Sequence, residues 1–478
     1  MMAREVDSAL FADVARGQVV AAAGCGKTES IVRLVAEWRG QQTLILTHTL
    51  AGVAALRDRL QRAAIPSQKY ALASIDAWCV RRVAAFPLRA GPLPDASNPR
   101  TFYPAVRAAC LRLLDGGAIN SALRASYGRV LVDEYQDCVL SQHAIVSALA
   151  RIFPTFVFGD PLQAIFGFSE PVVDWVRDVD SLFPLLQTLD HPWRWEGAGS
   201  PDLGAWMGAV RARLLAGDAI DLAGLPDGAT WHQLTANAAE NTRAIRNAVS
   251  FWQRNERSRV LVLGDPRAPG KHLELARDAE GLQVVESFDP RNLVATIGAL
   301  ERSPPDQRLE PLLELAKTMM TGVDAAGTVA RCNTLARGRA RVPATANESM
   351  ALQFRQRGDW TSAYELLKEW AASPERRVFR REVFSVVLQS LQTAGRDQEL
   401  SLVAAVEAAR ERRRHRGRSV HHRAVGSTLL LKGLEADYVI LLDVDNLSAA
   451  HVYVAVTRAT RGLKVFSTNR WLGPGQRR

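Results

Sequence analysis

The chain has 478 residues, with 60 Lys+Arg against 50 Asp+Glu (formal charge +10), 47% hydrophobic and 23% charged. At roughly 100–200 residues per domain that length allows about two to four domains, and the composition excludes a disordered polypeptide. No apolar run approaches the ~18 residues of a membrane span. The acidic start MMAREVDSALFADVARG lacks the apolar block of an export signal. Five cysteines (Cys25, Cys79, Cys110, Cys138, Cys332) include no C-x-x-C pair, which argues against a disulfide framework, a zinc site and an iron–sulfur cluster. The expectations are therefore a cytoplasmic address, no membrane and, from the basic balance, a polyanionic partner.

In chain order, Gln18–Ala23, Thr43–Thr47, Arg129–Val132 and Thr155–Phe158 read as buried strands, with helical patterns over Ile31–Trp38 and Gly52–Ala63. The Pro/Gly-rich segment Phe86–Pro104 reads as a loop leading into a small helical insertion at about 80–125. A second α/β unit starts near Thr230, with a helix over Glu240–Trp252 and a strand over Arg259–Gly264. From about Leu293 to Ala409 helical patterns dominate, among them Leu309–Met320 and Trp360–Ala371. Strands resume at Tyr438–Asp443 and Leu463–Ser467. The expected domains are 1–190, 191–292 continued at 416–478, and a helical insertion at 293–415. The run Arg410–Arg423 (RERRRHRGRSVHHR) is either a solvated helix end or a strip of phosphate contacts.

Ala21–Thr28 (AAAGCGKT) fits the phosphate-loop pattern G-x-x-x-x-G-K-[ST], except that alanine holds the first position. Glycines at 24 and 26 would let the backbone from Ala23 through Cys25 to Glu29 wrap phosphate oxygens. Lys27 would reach the β- and γ-phosphates, and the Thr28 hydroxyl would ligate Mg²⁺. In RVLVDEYQD a buried strand delivers Asp133 and Glu134 at its C-terminal end, where ligands of open α/β sheets bind. Asp133 suits Mg²⁺, and Glu134 suits orientation and deprotonation of an attacking water.

The series AAAGCGKT, VDEYQD, GDPLQAIFGF (Gly159–Phe168) resembles superfamily 1 helicases of the UvrD/Rep type. LTHTLAGVAALRDRL (Leu46–Leu60) and SIDAW (Ser74–Trp78) are similar to that family's motifs Ia and Ib. LDHPWRW (Leu189–Trp195), LLLKGLEADYVILL (Leu429–Leu442) and VYVAVTRA (Val452–Ala459) are similar to its fourth, fifth and sixth motifs. The resemblance implies an α/β fold of two RecA-like parallel-sheet domains with reduced helical insertions, hydrolysing ATP at the cleft between them. It makes Gln163 a γ-phosphate sensor, Arg194 and Arg458 the two arginines that neutralise transition-state charge, Glu435 a ribose contact and Trp193 a stacking partner for the base. Thr47, His48 and Thr49, with Phe168, would contact single-stranded DNA. Trp78 would stack or fill the core.

The same comparison exposes departures. Residues 1–17 contain no glutamine to read adenine, and Gln18 stands too close to the loop, so relaxed nucleotide choice is expected. Asp76 replaces the usual histidine of motif Ib. The resemblance implies an ATP- and Mg²⁺-dependent translocase or helicase on single-stranded or 3′-tailed DNA, of 3′→5′ polarity. The alternative is a DNA-sensing regulatory ATPase subunit that works with a nuclease partner in an anti-phage complex. No nuclease motif is found within the chain itself.

Overall fold

The computed structural model describes residues 5–96, 98–166, 170–253, 258–285, 290–397, 399–416 and 421–474. Strands β1 (Arg16–Ala21), β2 (Thr43–Thr47), β3 (Tyr70–Ser74), β4 (Arg129–Val132), β5 (Thr155–Gly159) and β6 (Leu185–Leu189) form one parallel sheet in the order β3-β2-β4-β5-β1-β6. Its central strands β2, β4 and β5 are buried at every position because both of their faces are covered. Alternation sorts the side chains. Leu44, Leu46, Val130, Val132 and Val157 enter one core with Trp78, Val106 and Ile145. Ile45, Leu131, Phe156 and Phe158 enter the other, with Ile31, Leu34 and Leu56.

Strands β7 (Ile220–Asp221) and β14 (Trp471–Leu472) make a small antiparallel pair. A second six-stranded sheet contains β8 (Ala229–Gln233), β9 (Val260–Gly264), β10 (Gln283–Val284), β11 (Arg423–Ser427), β12 (Ala436–Leu441) and β13 (Ala459–Ser467), in the order β10-β11-β9-β12-β13-β8. Its described pairs β10–β11, β11–β9, β12–β9 and β13–β8 are parallel. The α/β, two-sheet architecture expected from the sequence is thus present. The chain divides into two compact units, one of residues 1–234, 432–437 and 443–478, the other of residues 235–431 and 438–442.

Several local expectations change. The first helix runs Lys27–Glu37, so it begins four residues earlier than the apolar periodicity suggested. Its opening turn is set by the glycine loop rather than by burial. Phe86–Pro104 is not a continuous loop: Pro87–Ala90 is a short helix and Pro99–Asp115 a long one. Each has proline in its first turn, where a missing N–H leaves no intrahelical bond unmade. The long helix buries Val106, Ala109, Cys110, Leu113 and Leu114 in the core on one sheet face.

In the second unit the helices from Pro290–Arg302 to Leu402–Arg416 enclose a core of their own, built on Leu312, Leu313, Phe354, Leu366, Trp370, Val387 and Val406. The cationic run begins inside helix Leu402–Arg416; Arg412 is exposed, and residues 417–420 lie outside the described ones. No helix among the described residues is long and apolar enough to cross a membrane.

Candidate nucleotide site

The site gathers at the C-terminal ends of β1, β4 and β5, all in the first unit. Beyond Ala21 the chain turns on Gly24 (φ +73°) and Gly26 (φ +88°), both left-handed, before helix Lys27–Glu37 starts. A Cβ on Gly24 would lie 2.8 Å from the Arg194 Cβ and 2.9 Å from the Trp195 ring, so this glycine is required for space as well as for backbone angle. Ala21 does not have positive φ, which explains how alanine substitutes for the first glycine of the pattern. Two of the loop amides expected to wrap phosphate are already engaged. Ala23 N–H donates to the Tyr453 hydroxyl (3.0 Å), and Cys25 N–H closes a turn onto the Ala22 carbonyl (3.1 Å). The Cys25 thiol is buried, which pushes its pKa up to about 12. Glu29 is exposed on the first helical turn.

Lys27 lies 2.5 Å from a Glu134 carboxylate oxygen and 3.6 Å from Asp133. Burial alone would lower the lysine pKa, but the two acids outweigh it and hold the ammonium charged. Glu134 is partly exposed; its desolvation would raise its pKa, yet Lys27 and Lys432 pull it down to about 2. Burial raises Asp133 to about 6 against the pull of Lys27. Glu134 has φ +53°, a left-handed conformation rare for a residue with a side chain. Its amide donates to Asp133 Oδ1 (2.9 Å), and its carboxylate accepts from the Gln136 side chain.

Further polar contacts lie beside these acids. The Gln163 amide donates to Asp160 (3.0 Å), which also accepts from Arg211 (3.1 Å). Lys432 donates to both Asp137 oxygens and to the Gln163 carbonyl, each at 2.6 Å. Burial nonetheless raises Asp137 to about 7. Asp137, Asp160, Lys432 and Tyr453 all stand inside the quoted motifs without an assigned role, so a signal existed for them; for Arg211 there was none.

Arg194 is held beside the loop. Its N–H donates to the Gly24 carbonyl (3.1 Å), and its guanidinium to the Thr457 carbonyl (2.7 Å) and Glu435 (2.5 Å). Arg458 is buried, donating to the carbonyls of Val454 (2.8 Å) and Leu434 (3.4 Å) and to the Thr457 hydroxyl (3.1 Å). Burial and the like charge of Arg194 bring it down to about 10. Trp193 is part-exposed, and a Cβ on Gly26 would meet its ring at 3.3 Å. Both arginines, Glu435 and Trp193 therefore belong to the same compact unit as the phosphate loop.

The nucleic-acid candidates are less uniform. Thr47 ends β2 with its hydroxyl buried, and the Thr49 hydroxyl caps helix Leu50–Arg62 by accepting from Gly52 N–H (3.0 Å). The His48 ring is 5.6 Å from Phe166, and burial, then the charge of Lys432, lowers its pKa to about 4. Phe168 lies outside the described residues. Asp76 is not a bare charge: it is half-buried, 3.5 Å from Arg107, and accepts from Gln142 (3.3 Å). Gln18 is buried, donating to Asp180 (2.6 Å) and the Phe183 carbonyl (2.9 Å) while accepting from Trp175 (2.7 Å). Trp78 is 1% exposed, in the core. Replacing Trp78 with alanine is expected to cost about 3–5 kcal/mol of unfolding free energy, measured by denaturant titration. A stable variant that lost only DNA-stimulated turnover would make Trp78 a nucleic-acid contact instead.

The parallel sheet, the glycine-turned strand–loop–helix and the acidic strand end define a P-loop nucleotide-binding fold. Residues 101–184, which hold VDEYQD and GDPLQAIF, match the family model of the UvrD/REP helicase N-terminal domain, so the likeness seen in the motifs is shown there. No curated protein matches the sequence. Among solved structures, a complex of arterivirus nonstructural protein 10 (helicase) with DNA aligns over 96% of this chain at 9% identity and a TM-score of 0.36. The chain covers 62% of that helicase.

The donor set suits a nucleoside triphosphate with a hard divalent cation. Left-handed glycines, a helix N-terminus and a buried ammonium favour phosphate. A hydroxyl and a buried carboxylate supply oxygen ligands of the type Mg²⁺ takes.

Proposed function

We propose that the chain is an ATP-dependent translocase or helicase on single-stranded DNA, moving 3′→5′. The observation that carries this reading is the Lys27–Glu134–Asp133 cluster beside the glycine loop, with Arg194 and Arg458 in the same unit. In this mechanism Lys27 leaves Glu134 to hold the β- and γ-phosphates, and the released carboxylate orients and deprotonates the attacking water. Thr28 and Asp133 would hold Mg²⁺, which supplies charge neutralisation at the phosphates. Arg194 exchanges Glu435 for the γ-phosphate, and Arg458 adds fixed positive charge behind it. Lys432 connects the phosphate sensor Gln163 to Asp137 and lies over the Phe166 ring, which neighbours His48. Cyclic closing and opening of the two parallel-sheet domains then moves the strand.

Full-length protein should hydrolyse ATP faster with single-stranded DNA present and displace a strand from a 3′-tailed duplex but not a 5′-tailed one. With no glutamine in residues 1–17 to read adenine and Gln18 bonded to Asp180, Phe183 and Trp175, GTP should support turnover within about tenfold of ATP, a difference below 1.4 kcal/mol. ATP turnover without displacement, restored by a nuclease partner, would favour the sensor subunit over the motor. No turnover on any strand would overturn both.

A further inference from the structure

Arg211 belongs to none of the helicase-like motifs, yet it is tied into the nucleotide site. It stands on helix Pro201–Leu215, where Gly204, Met207 and Leu214 are buried, and it falls on the same stripe, at i+7 from Gly204. A Cβ on Gly204 would lie 2.9 Å from the Trp195 Cβ and 3.1 Å from the Pro192 Cβ, so this helix is docked closely on the segment that carries Arg194. A cation on a buried stripe is costly unless a carboxylate meets it.

Asp160, wholly buried just beyond β5, supplies that carboxylate. Its two oxygens have separate tasks. Oδ1 accepts from Arg211 Nη2 (3.1 Å) and from the Leu162 N–H (3.3 Å), whereas Oδ2 accepts from the Gln163 side-chain amide (3.0 Å). The Asp160 N–H donates to Gln136 (3.1 Å), whose side-chain amide donates to Glu134. Arg211 thus heads a chain of bonds that reaches both Gln163 and Glu134. A side-chain amide has two N–H donors. Asp160 takes one of them on Gln163 and thereby aims the other, the one a γ-phosphate would accept. A carboxylate grips an amide more tightly than a neutral acceptor does, but carrying a charge out of water requires a cation beside it.

We propose that Arg211 is a positioning residue for γ-phosphate recognition, acting through Asp160 on Gln163. This deepens the proposed function and rests on its reading of Gln163 as the sensor. Arg211 itself touches no nucleotide in this scheme, unlike Arg194 and Arg458, which supply charge to the phosphate.

The test measures, in full-length protein with Mg²⁺, the calorimetric affinities of ADP and of the non-hydrolysable adenosine 5′-(β,γ-imido)triphosphate. Their ratio reports recognition of the γ-phosphate alone. Gln163→Ala should cut the preference for triphosphate about tenfold or more, the weight of one hydrogen bond to a charged group. Arg211→Gln should cut it similarly, leave ADP affinity within about twofold, and add little to Gln163→Ala, since both act on one group. Arg211→Lys should recover most of the preference by restoring the charge. If Arg211→Gln melts early, adding Asp160→Asn removes the unpaired buried charge, and the preference should still be low. Parent-like preference in these Arg211 variants while Gln163→Ala is impaired, equal losses for both nucleotides, or fully additive losses would overturn the role of Arg211 alone. Parent-like preference in Gln163→Ala would overturn the sensor reading and this inference with it. A parent that distinguishes the nucleotides yet hydrolyses no ATP would sink the motor reading, while the ratio still decides the role of Arg211.

Discussion

Replacing Glu134 with glutamine should lower ATP turnover by about 10²–10⁴-fold, the range carried by a general base, while nucleotide affinity holds or rises. The reason lies in the pair at 2.5 Å: Glu134 is the counter-ion that a triphosphate must displace from Lys27. Glutamine removes the competitor along with the base, so hydrolysis and binding separate. Steady-state turnover with a nucleotide titration checks both halves. Turnover within tenfold of the parent would show that another group activates the water. Lys27→Ala gives the contrasting pattern, with binding and turnover lost together.

Arg194→Ala should reduce turnover about 10³–10⁵-fold, as loss of an arginine finger does, with little change in melting temperature. Its bond to Glu435 is exposed, so water replaces it, while the bond to the Thr457 carbonyl is part-buried. Arg458→Ala should instead reduce turnover and stability together. Its buried guanidinium donates to the carbonyls of Val454 and Leu434, and losing hydrogen bonds of a charged group costs about 1.5–3 kcal/mol each. Parallel turnover assays and thermal melts distinguish the two arginines; equal melting losses would make Arg194 structural.

Central strands were legible because both faces are buried. TLILT and RVLV match β2 and β4 residue for residue, and TFVF falls one residue short of β5. Strands β3 (YALAS) and β6 (LLQTL) were missed, since they lie at the two edges of the sheet, half-exposed, where alternation is weak. Helices such as Trp360–Ala372 followed their apolar period closely. The phosphate loop and the acidic pair were legible because their spacing is local. The links from Lys432 to Asp137 and from Tyr453 to Ala23 join segments far apart in sequence, so only folding reveals them. Arg211 belongs to no motif, and its partner Asp160 becomes informative only once both are seen buried together.

The left-handed backbone at Glu134 sets chain comfort against chemistry. Single residues in such regions carry roughly 1–3 kcal/mol of strain, and glycine would relieve it while discarding the carboxylate. A search for thermostable variants would therefore be drawn to this position and would return sturdier but idle proteins. A glutamate in so uncomfortable a place is what the proposed role in activating water would require of the fold.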